Sequence, residues 1–261
     1  MKRMRFTAQE LYVLAATAGK GKMYGIPDGF AWVPDEELQA ARQQVSDALL
    51  EEDVLAMDFD GKLSVAADYQ ELVDVYCDCK KCLTVNRQST DGKSEDLIFW
   101  QKDGNIYRAE IDEDWYAISN VSPFEAEASV VAENWPERTS QPSADVIIPQ
   151  IALTKAKRYA MNGNTEEAHR ILRQNGADDR TAAVLCDGLQ ERAQYVGLLL
   201  MDMRSGDCKK TESAFLSSRG INFVMGTTVV NFRTCTTFTE CEGAEAQRQI
   251  KELVSAFLRT E

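Results

Sequence analysis

"LIFWQKDGNIYRAEIDEDWYAIS", Leu97 to Ser119, decides the fold class. Three runs rich in Ile, Phe, Trp and Tyr are divided by the short turns "KDGN", Lys102 to Asn105, and "DED", Asp112 to Asp114. β-Branched and aromatic runs bounded by Gly, Asn and Asp form antiparallel strands. Just upstream, "CLTVN", Cys82 to Asn86, adds a fourth strand across the polar turn "RQSTDGKSE", Arg87 to Glu95. The meander from Cys82 to Ile118 ends at "SPFE", Ser122 to Glu125, where Ser122 and Glu125 form a capping box and Pro123 takes the first helical position. Phe124, Ala128 and Val131 are expected on the inner face of that helix.

Ahead of the meander, "TAQE", Thr7 to Glu10, has the same capping-box form, and Leu11, Leu14, Ala15 and Ala18 follow at helical spacing. Pro34 with Asp35, Glu36 and Glu37 opens a second helix, its acidic residues suited to the positive end of the helix dipole. "VLAMDFDGKLSV", Val54 to Val65, is two β-prone runs about an Asp60-Gly61 turn, a strong hairpin signal. Helix, helix, hairpin is the outline of a winged helix. Its recognition helix would carry Asp35, Glu36, Glu37, Asp47, Glu51 and Glu52, which phosphates repel, so duplex DNA is not an expected partner. A third helix, about Ala66 to Cys79, then leads into the meander.

Periodicity fails in "NWPERTSQPSADVII", Asn134 to Ile148, which contains two prolines. The expected organisation is an N-terminal half, 1–134, a linker, 135–148, and a C-terminal half, 149–261. The second half opens with three helical segments separated by "NGN" and "NG". "YVGLLLMDM", "ESAFLSS", "INFVMGTTVVNFR" and "CTTFTE" then form a second sheet, and a last helix buries Ile250, Leu253, Val254 and Phe257. Each half thus reads as helices, an antiparallel meander and a closing amphipathic helix. The fold class is α+β, with two pseudo-symmetric halves joined as an internal duplication and a winged-helix-like N-terminal part.

The 261 residues carry a net charge of −13, which disfavours nucleic acid and anionic lipid. No run reaches the length and apolarity of a membrane-spanning helix, and no continuous apolar segment follows the basic residues of Met1 to Ala8. Seven cysteines, an odd number without regular spacing, point to a reducing, cytoplasmic compartment. Three of them, Cys77, Cys79 and Cys82, fall together in "YCDCKKC". A zinc site there lacks a fourth ligand, and a redox pair lacks a general base, so buried packing is preferred to metal binding or redox chemistry. The single histidine, His169, would have to supply any Ser-His or Cys-His device, and no nucleotide-binding or nucleophile-elbow motif precedes a suitable helix. Asp112 and Asp114 sit in a charged turn of the solvated kind. No catalytic residue, metal or cofactor is predicted, and the chain is expected not to be an enzyme.

The order of "FTAQELYVLAA", "DGKLSV", the aromatic meander with its capped helix, and "EEAHRILRQNGADDRTAAVLCDGL" before a second sheet and helix resembles the EspG family associated with type VII (ESX) secretion. The likeness covers almost the whole chain and lies in element order and hydrophobic pattern, with no invariant motif. It implies a cytosolic, non-enzymatic adaptor or chaperone of pseudo-two-fold fold that binds helical secretion substrates. An acidic scaffold or regulator built on the winged-helix-like part is the first alternative, and an enzyme of unknown reaction the second. Monomer or weak dimer is the expected state.

The expected partner surface is the first meander. The long polar turn Ser89, Thr90, Asp91, Gly92, Lys93 and Ser94 stands at its centre, flanked by Trp100 and Tyr107. Phe99, Trp100, Tyr107, Trp115 and Tyr116 exceed what one buried face easily holds, so alternation sends some outward as anchors, unless helices cover both faces.

Overall fold

Runs such as Leu97–Trp100 have too many consecutive apolar residues for a sheet with one wet face, and each of these four side chains is buried. The computed structural model describes residues 4–131, 135 and 145–259. Among them, ten strands form one antiparallel sheet in the order β1-β7-β6-β5-β4-β9-β10-β11-β12-β8. The first half supplies β1 (Arg5–Thr7), β4 (Lys81–Gln88), β5 (Ser94–Lys102), β6 (Asn105–Asp112) and β7 (Trp115–Val121). The second supplies β8 (Val146–Pro149), β9 (Gln194–Asp202), β10 (Lys209–Ser218), β11 (Ile221–Val230) and β12 (Arg233–Cys241). A short hairpin of β2 (Leu55–Met57) and β3 (Leu63–Val65) stands apart around the expected Asp60-Gly61 turn.

The two halves meet at β4 and β9, which pair from Lys81↔Asp202 to Gln88↔Tyr195. Outward from that seam each meander runs in chain order and is closed by the strand that precedes it in sequence, β1 beside β7 and β8 beside β12.

Helices cover both faces. On one face α1 (Ala8–Thr17), α2 (Asp35–Glu51) and α3 (Ala67–Asp78) pack over the first half, around Phe6, Leu11, Leu14, Tyr76, Ile98 and Trp100. On the same face α5 (Gln150–Met161), α6 (Thr165–Gln174) and α7 (Asp179–Leu189) cover the outer strands of the second half, around Leu172, Leu185, Phe223 and Phe238. The opposite face is closed near the seam by α4 (Pro123–Val131) and α8 (Gly243–Leu258), around Leu83, Phe99, Leu198, Phe215 and Phe257. Each fully buried side chain of this size contributes about 1.5–3 kcal/mol through burial.

Local sequence signals set the helix ends. Thr7 accepts from the Glu10 N–H at 3.2 Å while the Glu10 carboxylate accepts from the Thr7 N–H at 2.7 Å, and Ser122 and Glu125 repeat this reciprocal cap. Both expected capping boxes are formed.

Four expectations need correction. The tail of the expected linker is ordered: Val146–Pro149 is an edge strand on β12, and Trp135 packs in the core 5.9 Å from Phe215. Residues 136–144 lie outside the described residues. Helix α4 is rotated from its expected phase, burying Ala126 and Val130 and leaving Phe124 exposed, because its contact is α8 rather than the sheet alone. "INFVMGTTVVNFR" is not one strand: Asn231 and Phe232 form a hairpin turn with positive φ at both positions. The first strand of the meander, expected to start at Cys82, starts one residue earlier: Lys81 begins β4 and is 1% exposed.

Candidate partner-binding surface

Between α1–α3 on one side and α5–α7 on the other, part of the sheet face is left open along β4, β9 and the adjoining stretch of β10 from Glu212 to Ala214. There a groove of about 460 Å³ opens. Its floor alternates out of the seam strands and their neighbours β5 and β10: Ile98, Leu199 and Ala214 are apolar, while Asn86, Asp96 and Glu212 give polar edges. Asn86 donates to the Asp96 carboxylate across the strands. Two glycines shape the groove. Gly25, at φ +79°, brings the α1–α2 connection against the sheet, and a Cβ there would sit 2.8 Å from Ile98 Cγ2. Gly197 lies under Tyr195, and a Cβ there would meet the phenol oxygen at 2.6 Å. The ring is laid along the floor, and burial pushes its phenol pKa up.

The β4–β5 turn stands at one end of this groove, beyond the Gln88↔Tyr195 rung. It is closed by the Ser89 N–H donating to the Lys93 carbonyl at 2.9 Å and by the Gly92 N–H donating to the Ser89 carbonyl at 3.0 Å. Gly92 supplies the required φ of +81°. Asp91 accepts from the Ser89 hydroxyl and pairs with Lys93 at 3.1 Å, and these partners hold its carboxyl at about 2. Thr90 to Ser94 are exposed beside the α7–β9 connection, with the Glu191 carbonyl 3.9 Å from the Cβ position of Gly92.

The aromatic residues expected beside this turn are elsewhere. Trp100 is fully buried and its indole N–H donates to the Tyr24 carbonyl at 2.7 Å. Phe99 and Tyr116 are buried, Tyr107 is half-buried with its hydroxyl on Glu71, and Trp115 is half-buried under the Arg5 guanidinium at 5.2 Å. Alternation does send them to opposite faces, but a helical layer waits on each. Trp100 and Tyr107 are cross-strand partners six residues along β5 from the turn, about 20 Å away at strand rise. The structure therefore gathers Ser89–Ser94 into one exposed turn and separates Trp100 and Tyr107 from it. The groove itself had no signal in sequence, because it exists only where β4 meets β9.

The cysteine cluster is core. Cys77 on α3, Cys79 at its C-cap and Cys82 on β4 are all buried, and burial pushes the Cys77 and Cys79 thiols up to about 12 and Cys82 well above the usual range. Among the described residues no group of three or more His, Cys, Asp or Glu is placed to hold a metal ion. Cys208 is exposed and the other six cysteines are buried. Thiol titration at pH 8 is therefore expected to label one cysteine rapidly in the native chain and all seven after denaturation. Rapid native labelling of Cys79 or Cys82 would contradict this burial. The His169 ring nitrogen lies 3.2 Å from the Asp179 carbonyl oxygen at the surface, and Asp112 pairs with Arg5 at 3.0 Å. No helix is long and apolar enough to cross a membrane among the described residues.

No protein-family profile and no curated protein matches the chain. Among solved structures it is similar to the Mycobacterium tuberculosis type VII secretion system chaperone EspG5, solved in complex with the PE25–PPE41 dimer. The likeness has a TM-score of 0.50 at 10% sequence identity, over 96% of this chain and 95% of the other. At that identity it establishes a distant relationship of fold: an α+β chain of EspG-like architecture built on one large antiparallel sheet.

Proposed function

We propose that this chain is a non-enzymatic chaperone or adaptor that holds a helical protein substrate of a type VII-like secretion system in the cytoplasm. The observation that carries this reading is the likeness of fold to EspG5 along nearly the full length of both chains. EspG5 was solved holding a protein dimer, so a protein partner is the natural counterpart of the groove in this chain. The groove's apolar floor between polar edges suits the end of a helical hairpin better than a polar small molecule. The turn Ser89–Ser94, at one end of that groove, is the second part of the proposed surface, and Tyr107 and Trp100 act behind it as scaffold. The net charge of −13 and the exposed acidic start of α2 favour a protein partner over nucleic acid. We read the matching strand order on the two sides of the seam as an internal duplication, and the chain as a monomer or weak dimer.

The test is co-expression with the small helical proteins encoded nearest to the chain. A stoichiometric complex is expected on size exclusion. Deleting Thr90–Lys93 is expected to weaken it at least about tenfold, the loss of one or two interface contacts, while leaving the melting temperature unchanged. Full capture by the folded deletion variant would place the interface away from the turn.

A further inference from the structure

The sheet forks in its second half. Strands β10 and β11 pair only from Ser218↔Ile221 to Ala214↔Met225. Beyond that point both strands continue: β10 stays paired with β9 out to Lys209↔Asp202, and β11 with β12 out to Val230↔Arg233. In the first half the corresponding strands, β5 and β6, stay paired from Lys102↔Asn105 to Asp96↔Ile111. Lys209–Ser213 and Gly226–Val230 therefore present two open edges, about 17 Å deep at strand rise. A cavity of about 360 Å³ lies at the root of the fork, lined by Tyr195, Glu212, Met225 and Thr227.

Antiparallel alternation says which backbone groups are open. The two-residue turns at Arg219-Gly220 and Asn231-Phe232 make Ser218↔Ile221 and Val230↔Arg233 hydrogen-bonded pairs. Counting by two, Lys210 and Glu212 on β10, and Thr227 and Val229 on β11, direct their N–H and C=O groups into the fork. Unpaired rows of this kind are templates for an added strand. The mouth is also charged: Lys209, Lys210 and Arg233 are exposed, and no ion pair is formed by any of them among the described residues. Val229 and Phe232 beside them are 68% and 104% exposed. In a chain of net charge −13 this is a local cationic, apolar-tipped opening.

We propose that the fork is a second protein-binding site, which takes an extended acidic segment of a partner polypeptide by strand addition to the open edge of β11. The backbone of the segment pairs with Thr227 and Val229, and its carboxylates meet Lys209, Lys210 and Arg233 at the mouth. This site is independent of the chaperone reading, because its test needs no secretion substrate.

The probe is a fluorescein-labelled peptide, Asp-Val-Thr-Val-Thr-Val-Asp, titrated with the purified full-length chain at low salt. Saturable binding is expected, weaker by at least about tenfold for the same peptide N-methylated at alternate amides, which removes two hydrogen bonds and blocks strand pairing. Val229→Pro is expected to reduce binding similarly, and Val229→Thr to leave it intact. Lys210→Glu should weaken the Asp-flanked probe and favour a Lys-flanked one. Equal binding of parent and N-methylated probes would overturn the proposal on wild-type protein alone, whatever the proline variant does to folding. So would absence of binding, or a concentration-dependent doubling of mass abolished by Val229→Pro, which would assign the fork to a second copy of this chain.

Discussion

Lys81→Ala is expected to lower folding stability by about 3–5 kcal/mol, the usual cost of breaking a buried charge-assisted network. Lys81 is the first residue of β4, so its side chain leaves the seam strand towards α8. Its ammonium donates to the carbonyls of Ala256 at 2.6 Å, Phe257 at 3.2 Å and Arg259 at 2.6 Å. These are among the last carbonyls of α8, which have no partner within the helix and carry the negative end of its dipole. One lysine thus ties the C-terminal helix to the strand where the two halves join. Lys81→Met keeps much of the aliphatic stem and loses only the donor, so most of the loss should persist in that variant. Urea unfolding of both variants checks this, and a loss of only about 0.5 kcal/mol, the range of ordinary surface substitutions, would contradict it.

Trp100→Ala is expected to cost about 3–5 kcal/mol, the range for truncating a buried aromatic. The indole is 0% exposed, packs 6.4 Å from the Tyr76 ring, and holds the Tyr24 carbonyl, so truncation leaves both a cavity and an unpaired acceptor beneath the α1–α2 connection. The folded fraction should keep its partner affinity. Denaturant midpoint and affinity measured on the same preparation separate the two roles. Unchanged stability with lost affinity would restore Trp100 as a surface anchor.

Much of the fold is legible in local sequence because its signals are local. The caps at Thr7 and Ser122 and the turns at Asp60-Gly61 and Asp103-Gly104 each depend on neighbours within four residues, and all are realised. The runs Leu97–Gln101 and Tyr195–Met203 likewise declare strands. What the sequence does not disclose is long-range pairing: β1 against β7, β8 against β12, and the seam of β4 with β9 have no adjacent signature. The site fails to show for the same reason. Strand alternation says that Phe99 and Trp100 point to opposite faces but not that α8 covers one and α3 the other, and a continuous apolar run is the mark of a strand buried on both sides. Phe232 at positive φ is invisible too, since an aromatic residue is an unlikely choice for the left-handed region and carries no turn signal.

The exposed turn Ser89–Ser94 and the groove beside it are the centre of the proposed surface, and hydrogen exchange of the chain with and without a helical protein captured by co-expression tests them together. Slowed exchange is expected at the turn, Gln88 to Asp96, and along the groove strand from Gln194 to Leu199, with the outer helices α6 and α7 unchanged. Protection confined to α5–α7, or no protection in a stoichiometric complex, would contradict the proposed binding surface.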